Sequence, residues 1–96
     1  MYMVVRTYSG VGSTELFNLL EQREQDVKDL ISPIPGFVSY SGIHNEGGDG
    51  GVTVTLCKDK AGVDESSKRA ADWVSENHTT DVDPPEITEG LAFLKF

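Results

Sequence analysis

PGFVSYSGIHNEGGDGGVTVTLC, residues 35 to 57, decides the fold. Its end, VTVTLC (52 to 57), alternates strictly in β-branched and apolar residues and is the clearest strand of the chain. Before it, NEGGDGG (45 to 51) supplies the positive φ angles of a hairpin or its bulge. PGFVSYSGIH opens on a proline-glycine stop and reads as the partner strand. Its two faces are mixed: Phe37, Ser39, Ser41 and Ile43 on one, Val38, Tyr40, Gly42 and His44 on the other. A hairpin with neither face cleanly solvent-facing needs something against both.

Working outward, YMVVRTY (2 to 8) is a first strand, and SGVGS breaks it with Ser13 as the expected N-cap. From Ser13 to about Ile31 the apolar residues Leu16, Leu19, Leu20, Val27, Leu30 and Ile31 fall at helical spacing, predicting one helix that SPIPG ends. After the hairpin, DKAGVDESSKRAADWVSENH predicts a second helix, with Asp64 and Glu65 placed in its first turn. Its inward stripe is thin: Val63, Ser67, Ala70, Ala71 and Val74. TTDVDPPEITEG is expected as an acidic connection and LAFLKF (91 to 96) as the fourth strand. No internal repeat is present.

The order β-α-β-β-α-β with right-handed crossovers gives an α+β, ferredoxin-like antiparallel sheet with two helices on one face, in one domain spanning 1 to 96. Both strand parities carry large apolar groups. Met3, Val5, Phe37, Val52, Val54, Leu56, Leu91 and Phe93 share one; Tyr2, Val4, Tyr8, Val38, Tyr40, Leu94 and Phe96 share the other. Which parity meets the helices stays open, because a bulge shifts the register. Either way the second face is too apolar for water, and a second copy packed sheet to sheet is the simplest cover.

The net charge of −8, from 16 acidic and 8 basic residues, argues against nucleic acid and against anionic membranes as partners. No run approaches a membrane span and the first strand begins too early for a signal peptide, so with one cysteine, Cys57, the expected location is the cytoplasm. NHT (77 to 79) matches a glycosylation acceptor and has no meaning without export.

PGFVSY opening strand two, the glycine hairpin, VTVTLCKDKAG running into a helix, and AADWVSEN within it together resemble the dimeric α/β-barrel superfamily, in its antibiotic-biosynthesis-monooxygenase-like branch. The resemblance covers nearly the whole chain in element order. It implies a homodimer whose two sheets form a barrel, with a pocket between sheet and helices in each subunit. Characterised relatives include cofactor-free oxygenases of aromatic polyketides and haem-degrading enzymes; others have no known catalysis. Fold alone does not choose among them.

The haem degraders place an Asn, a Trp and a His around the pocket, their Asn on the first strand. Here the first strand offers VVRTY, and WVSENH carries Trp73, Asn77 and His78. Trp73 and Asn77 share a flank about 40° wide, with His78 on the opposite flank, so the match fails in position and geometry. Arg23 falls within the apolar stripe of the first helix, where a charge is costly unless paired. It either holds an anionic or enolate ligand, or snorkels from under the helix, or is ion-paired with an acid, in the same chain or across the dimer. Small residues beneath the second helix either let it lie close or leave a cavity bordered by Trp73 and reached by Tyr40, His44, Ser39 or Ser41. Tyr40 and His44, about 10 Å or more apart along a strand, meet only across a ligand. Candidate pocket residues are therefore Arg23, Tyr40, His44, Trp73 and Asn77.

Cys57, near Lys58 and Lys60, has grounds for a mildly lowered pKa but reads better as a structural thiol. GVGSTE puts Glu15 where a dinucleotide fingerprint needs glycine, and GGDGG lacks the Lys-Ser/Thr of a phosphate loop. Asp81, Asp83, Glu86 and Glu89 do not follow calcium-loop spacing. No cofactor and no metal site is expected. Two function classes follow: a cofactor-free monooxygenase or related enzyme acting on a small hydrophobic or aromatic molecule, or a non-catalytic dimeric barrel that binds a small ligand or serves as a stability module. Arg23 unpaired and aimed inward favours the first. Arg23 tied to an acid over a filled interior favours the second.

Overall fold

The computed structural model describes residues 1 to 78 and 81 to 96. Thr79 of the NHT acceptor and Thr80 of the predicted connection lie outside the described residues. The elements run β1 (Tyr2–Tyr8), α1 (Ser13–Gln22), α2 (Glu24–Ile31), β2 (Phe37–His44), β3 (Gly51–Cys57), α3 (Lys60–Asn77) and β4 (Glu86–Leu91). The sheet is ordered β2-β3-β1-β4, and every neighbouring pair is antiparallel. This is the ferredoxin-like arrangement.

The predicted first helix is broken in two. Arg23, at φ −108° and ψ 31°, leaves helical geometry, while its N–H still reaches Leu19 O and its C=O still accepts from Val27 N–H. The break turns Arg23 out of the apolar stripe, leaving its side chain 42% exposed. α1 is capped by Gly12 in the left-handed region rather than by Ser13, which is its first helical residue and donates its hydroxyl to Gly10 O at 2.8 Å. α3 starts earlier than the charges suggest. Asp59 is the N-cap, accepting from Gly62 N–H at 3.1 Å, so Asp64 and Glu65 sit a turn further on and pair with Lys60 and Arg69.

The largest correction is β4. It is formed by EITEGL, which is the end of the predicted connection plus only Leu91 of LAFLKF. Pro84 and Pro85, which lack N–H donors, end the irregular segment. Glu86 to Leu91 then pair with Thr7 to Tyr2, and Ala92 N–H closes the ladder on Met1 O. An edge strand is held by its backbone ladder, so its side chains need not be apolar.

The register settles which parity faces the helices. Tyr2, Val4, Arg6 and Tyr8 of β1 stand opposite Cys57, Thr55, Thr53 and Gly51 of β3, and Tyr40, Gly42 and His44 of β2 continue those rows. A bulge between Phe37 and Ser39 brings Phe37 onto the same side, mixing the parities read from sequence. Two apolar clusters form the core: Val4, Cys57 and Val63 at one end, Tyr8, Leu16 and Phe17 at the other. Between them lies a buried polar band of Arg6, Thr53, Thr55 and Ser66. Ala71, expected in the inward stripe of α3, is exposed, and Gly62, Ser66 and Trp73 are buried instead.

The outer face carries Met3, Val5, Val52 and Val54, all half-buried, and Ile43, which is 59% exposed. Beyond β4, Phe93, Leu94 and Phe96 are exposed at 87%, 65% and 115%.

Candidate functional site

A cleft of about 620 Å³ opens between α1, α2 and the β2 edge of the sheet. That volume is in the range of small-molecule sites. Phe17, Leu20, Val27, Ile31 and Phe37 give it apolar walls, with Tyr40 and Thr53 presented by the sheet. Glu21, Glu24, Lys28 and His44 line it as well, and all four are exposed. It exists because the helix-facing sides of β2 and β3 are small here: Gly42 and Thr53 stand opposite each other where large side chains would fill the gap.

Two of the expected residues line this cleft. His44 Nε2 lies 2.7 Å from Glu21 Oε1 and its ring is edge-on to Phe17, with centroids 6.2 Å apart. Tyr40 sits deeper. Burial pushes its phenol up, against the opposing charge of Arg6 and the contact with Thr53. Tyr40 therefore stays a neutral O–H donor at neutral pH.

Arg23, Trp73 and Asn77 form a separate group away from the cleft. The Arg23 guanidinium carbon is 5.5 Å from the Trp73 ring centroid, Nη2 donates to Asn77 Oδ1 at 3.4 Å, and Nε pairs with Asp26. Asn77 also donates to Trp73 O at 2.9 Å. His78 caps the helix, its N–H bonded to Val74 O. The two groups approach each other at a recess of about 20 Å³, where Tyr40 and Thr53 share the wall with Trp73, Val74 and Tyr8. Arg23 is thus tied to an acid, and the recess beside Trp73 has room for about one water.

One residue escaped the sequence reading. Arg6 is 3% exposed and makes no ion pair with a described carboxylate. Nη1 donates to Thr55 Oγ1 at 3.1 Å, and Nη2 to Ser66 Oγ at 3.0 Å and Ser67 Oγ at 2.8 Å. Burial lowers its pKa from the usual arginine value, and the acidic groups that oppose this most are Tyr40, then Tyr8, then Glu89. The signal was available: in YMVVRTY, Arg6 shares its parity with Tyr2, Val4 and Tyr8.

Cys57 is fully buried. Burial and then Asp59 push its thiol up, with Arg6 opposing, so the lowering expected from Lys58 and Lys60 is absent. Among the described residues no group of three His, Cys, Asp or Glu side chains stands together as metal ligands, and no helix is long and apolar enough to cross a membrane.

The chain is a ferredoxin-like α+β domain, a fold that it shares with solved structures including an antibiotic biosynthesis monooxygenase-type protein from Chloroflexus aurantiacus, at 12% identity and a TM-score of 0.66 over 99% of this chain and 95% of that one. The chain is similar to a monooxygenase from the gene ActVA-Orf6 of Streptomyces coelicolor, solved in complex with nanaomycin D. The two share 17% identity at a TM-score of 0.74, over 99% of this chain and 89% of that one. It is also similar to SnoaB, a cofactor-independent oxygenase from Streptomyces nogalater, with 14% identity and a TM-score of 0.62 over 98% and 93% of the two chains. The heme-degrader MhuD from Mycobacterium tuberculosis shares 15% identity at a TM-score of 0.62, over 99% and 97%. No family model and no curated protein matches the sequence.

Proposed function

We propose that this protein is a homodimeric, cofactor-free monooxygenase acting on a small hydrophobic aromatic molecule bound in the cleft. The observation that carries the reading is the cleft itself: apolar walls sized for a fused-ring ligand, with one neutral phenol, Tyr40, deep in it. The fold similarity to a monooxygenase solved with nanaomycin D and to a cofactor-independent oxygenase supports it. Tyr40 is the donor to a ligand oxygen as negative charge develops there, the role of an oxyanion-hole group. His44, held by Glu21 and lining the same cleft, is the proton acceptor. Trp73 supports the floor through the recess, and Arg23, bonded to Asn77, fastens it to the first helix pair.

The test uses 1,8-dihydroxyanthrone and dioxygen without metal or added cofactor. Oxidation consumes one O2 per anthrone and yields the anthraquinone and one water. The protein is expected to accelerate quinone formation well above the buffer rate. Tyr40→Phe should lose about a hundredfold of that acceleration, the usual effect of removing one oxyanion donor. Wild-type protein no faster than buffer on this and related hydroxyarenes would leave the non-catalytic ligand-binding barrel, a reading that the Arg23–Asp26 pair favours.

A further inference from the structure

A buried guanidinium without a carboxylate is expensive, and proteins tolerate one where the charge is used. Arg6 is such a group. Its three bonded partners are hydroxyls, which satisfy donors but carry no countercharge. Around it, β3 contributes Thr53, Thr55 and the neutral Cys57, β2 contributes Tyr40, and β1 contributes Tyr8. From α3 come Ser66 and Ser67. Glu89 of β4 is exposed and lies on the side of β1 away from the cleft. Of these groups only Tyr40 and Thr53 line the cleft. Tyr40 is the cross-strand neighbour of Thr55, whose hydroxyl accepts from Arg6 Nη1 at 3.1 Å, and it is also the acidic group that most strongly opposes the lowering of Arg6's pKa.

The cleft's exposed charges point the other way. Glu21 and Glu24 outnumber Lys28, with His44 beside Glu21. A bound anion is therefore repelled at the exposed charged rim and drawn toward Tyr40. We infer that Arg6 is a positioning residue that acts through Tyr40 to select the ionised form of the ligand, so that the cleft takes a phenolate or enolate in preference to the neutral phenol. The cation behind Tyr40 strengthens its O–H as a donor to a ligand oxyanion, and that oxyanion supplies the countercharge that the polar band lacks. This rests on the cleft being the ligand site, and it specifies the charge state that enters it.

The probe is alizarin, a hydroxyanthraquinone whose colour reports its ionisation. Bound to the wild-type protein it should ionise about one pH unit or more below the free dye. Arg6→Met should abolish that shift, leaving the bound dye ionising at or above the pH of the free dye, and Arg6→Lys should restore most of it. Tyr40→Phe should remove the greater part of the shift, with Arg6→Met adding little in that background, as expected for two groups acting as one. Melting temperature and Trp73 emission identify any variant that fails to fold, and the wild-type titration stands without them. Dye bound by the wild type with no downward shift overturns the inference while leaving the ligand site intact. So does a shift that survives Arg6→Met. No binding at any pH removes the ligand site itself, and the inference with it.

Discussion

At the scale of single residues, the two arginines show what a one-dimensional pattern can and cannot reveal. Arg23 stood out because helical spacing put it among leucines, but the backbone break at that residue turns it to the surface, where it stacks on Trp73. Arg6 was passed over because strand parity alone left open which face was buried, and it is Arg6 that the helices cover. Tyr40 and His44 were legible as polar groups on one strand face, and the cleft does bring them to one wall. The polar interior also has a measurable titration. Burial raises Tyr8, Tyr40 and Cys57 above their ordinary values of 10.0, 10.0 and 9.0. The folded chain then keeps protons that the unfolded chain has released, so stability is complete below about pH 9 and falls as pH rises through the raised values. Urea midpoints between pH 8 and 11 should decline, and Tyr40→Phe should flatten the fall above pH 10. Cys57 should in turn resist a thiol reagent such as dithionitrobenzoate at pH 8 until the protein is unfolded, since its thiol is both inaccessible and protonated.

At the scale of elements, the hairpin, β1 and α3 were readable because each has its own period and its own punctuation. β4 was not, because EITEGL looks like a loop by composition and is a strand by virtue of pairing with β1. Of LAFLKF, which has the stronger apolar character, only Leu91 takes a strand position. Packing between elements is tight where glycine allows it. A Cβ on Gly51 would come within 2.2 Å of Ile43 O and 2.4 Å of the Phe17 ring. Since the first of these is backbone, relief requires the hairpin to shift, and Gly51→Ala should cost about 2–3 kcal/mol in chemical denaturation. Arg23 joins three elements more loosely. Arg23→Ala should cost only about 0.5–1 kcal/mol, the value of an exposed cation–π contact, but should shift the emission of Trp73, the one tryptophan of the chain, to the red as its ring loses cover. An unchanged spectrum would mean that the stacking does not persist in solution.

At the scale of the whole molecule, the topology followed from element order alone, because right-handed crossovers leave few ways to assemble β-α-β-β-α-β. The pocket did not follow, since its volume depends on a register, a bulge and a helix break that composition does not encode. What remains at this scale is the second face of the sheet. Helices cover one side only, and the other presents Met3, Val5, Val52, Val54 and Ile43 in neighbouring rows, with Phe93, Leu94 and Phe96 exposed beyond the last strand. Such a surface is characteristic of an interface, and a two-fold pairing of identical sheets covers both copies at once. Val54 is the place to test it: it lies mid-strand, opposite Val5 on one side and Ser41 on the other, where a charge meets its own symmetry mate's surroundings but disturbs nothing beneath the helices. Val54→Glu should convert the expected dimer to a folded monomer in sedimentation or light scattering. Its helical circular dichroism should persist, and its melting temperature should fall as the mutual cover is lost. A wild-type protein that sediments as a monomer at micromolar concentration would mean that something other than a second copy lies against that sheet.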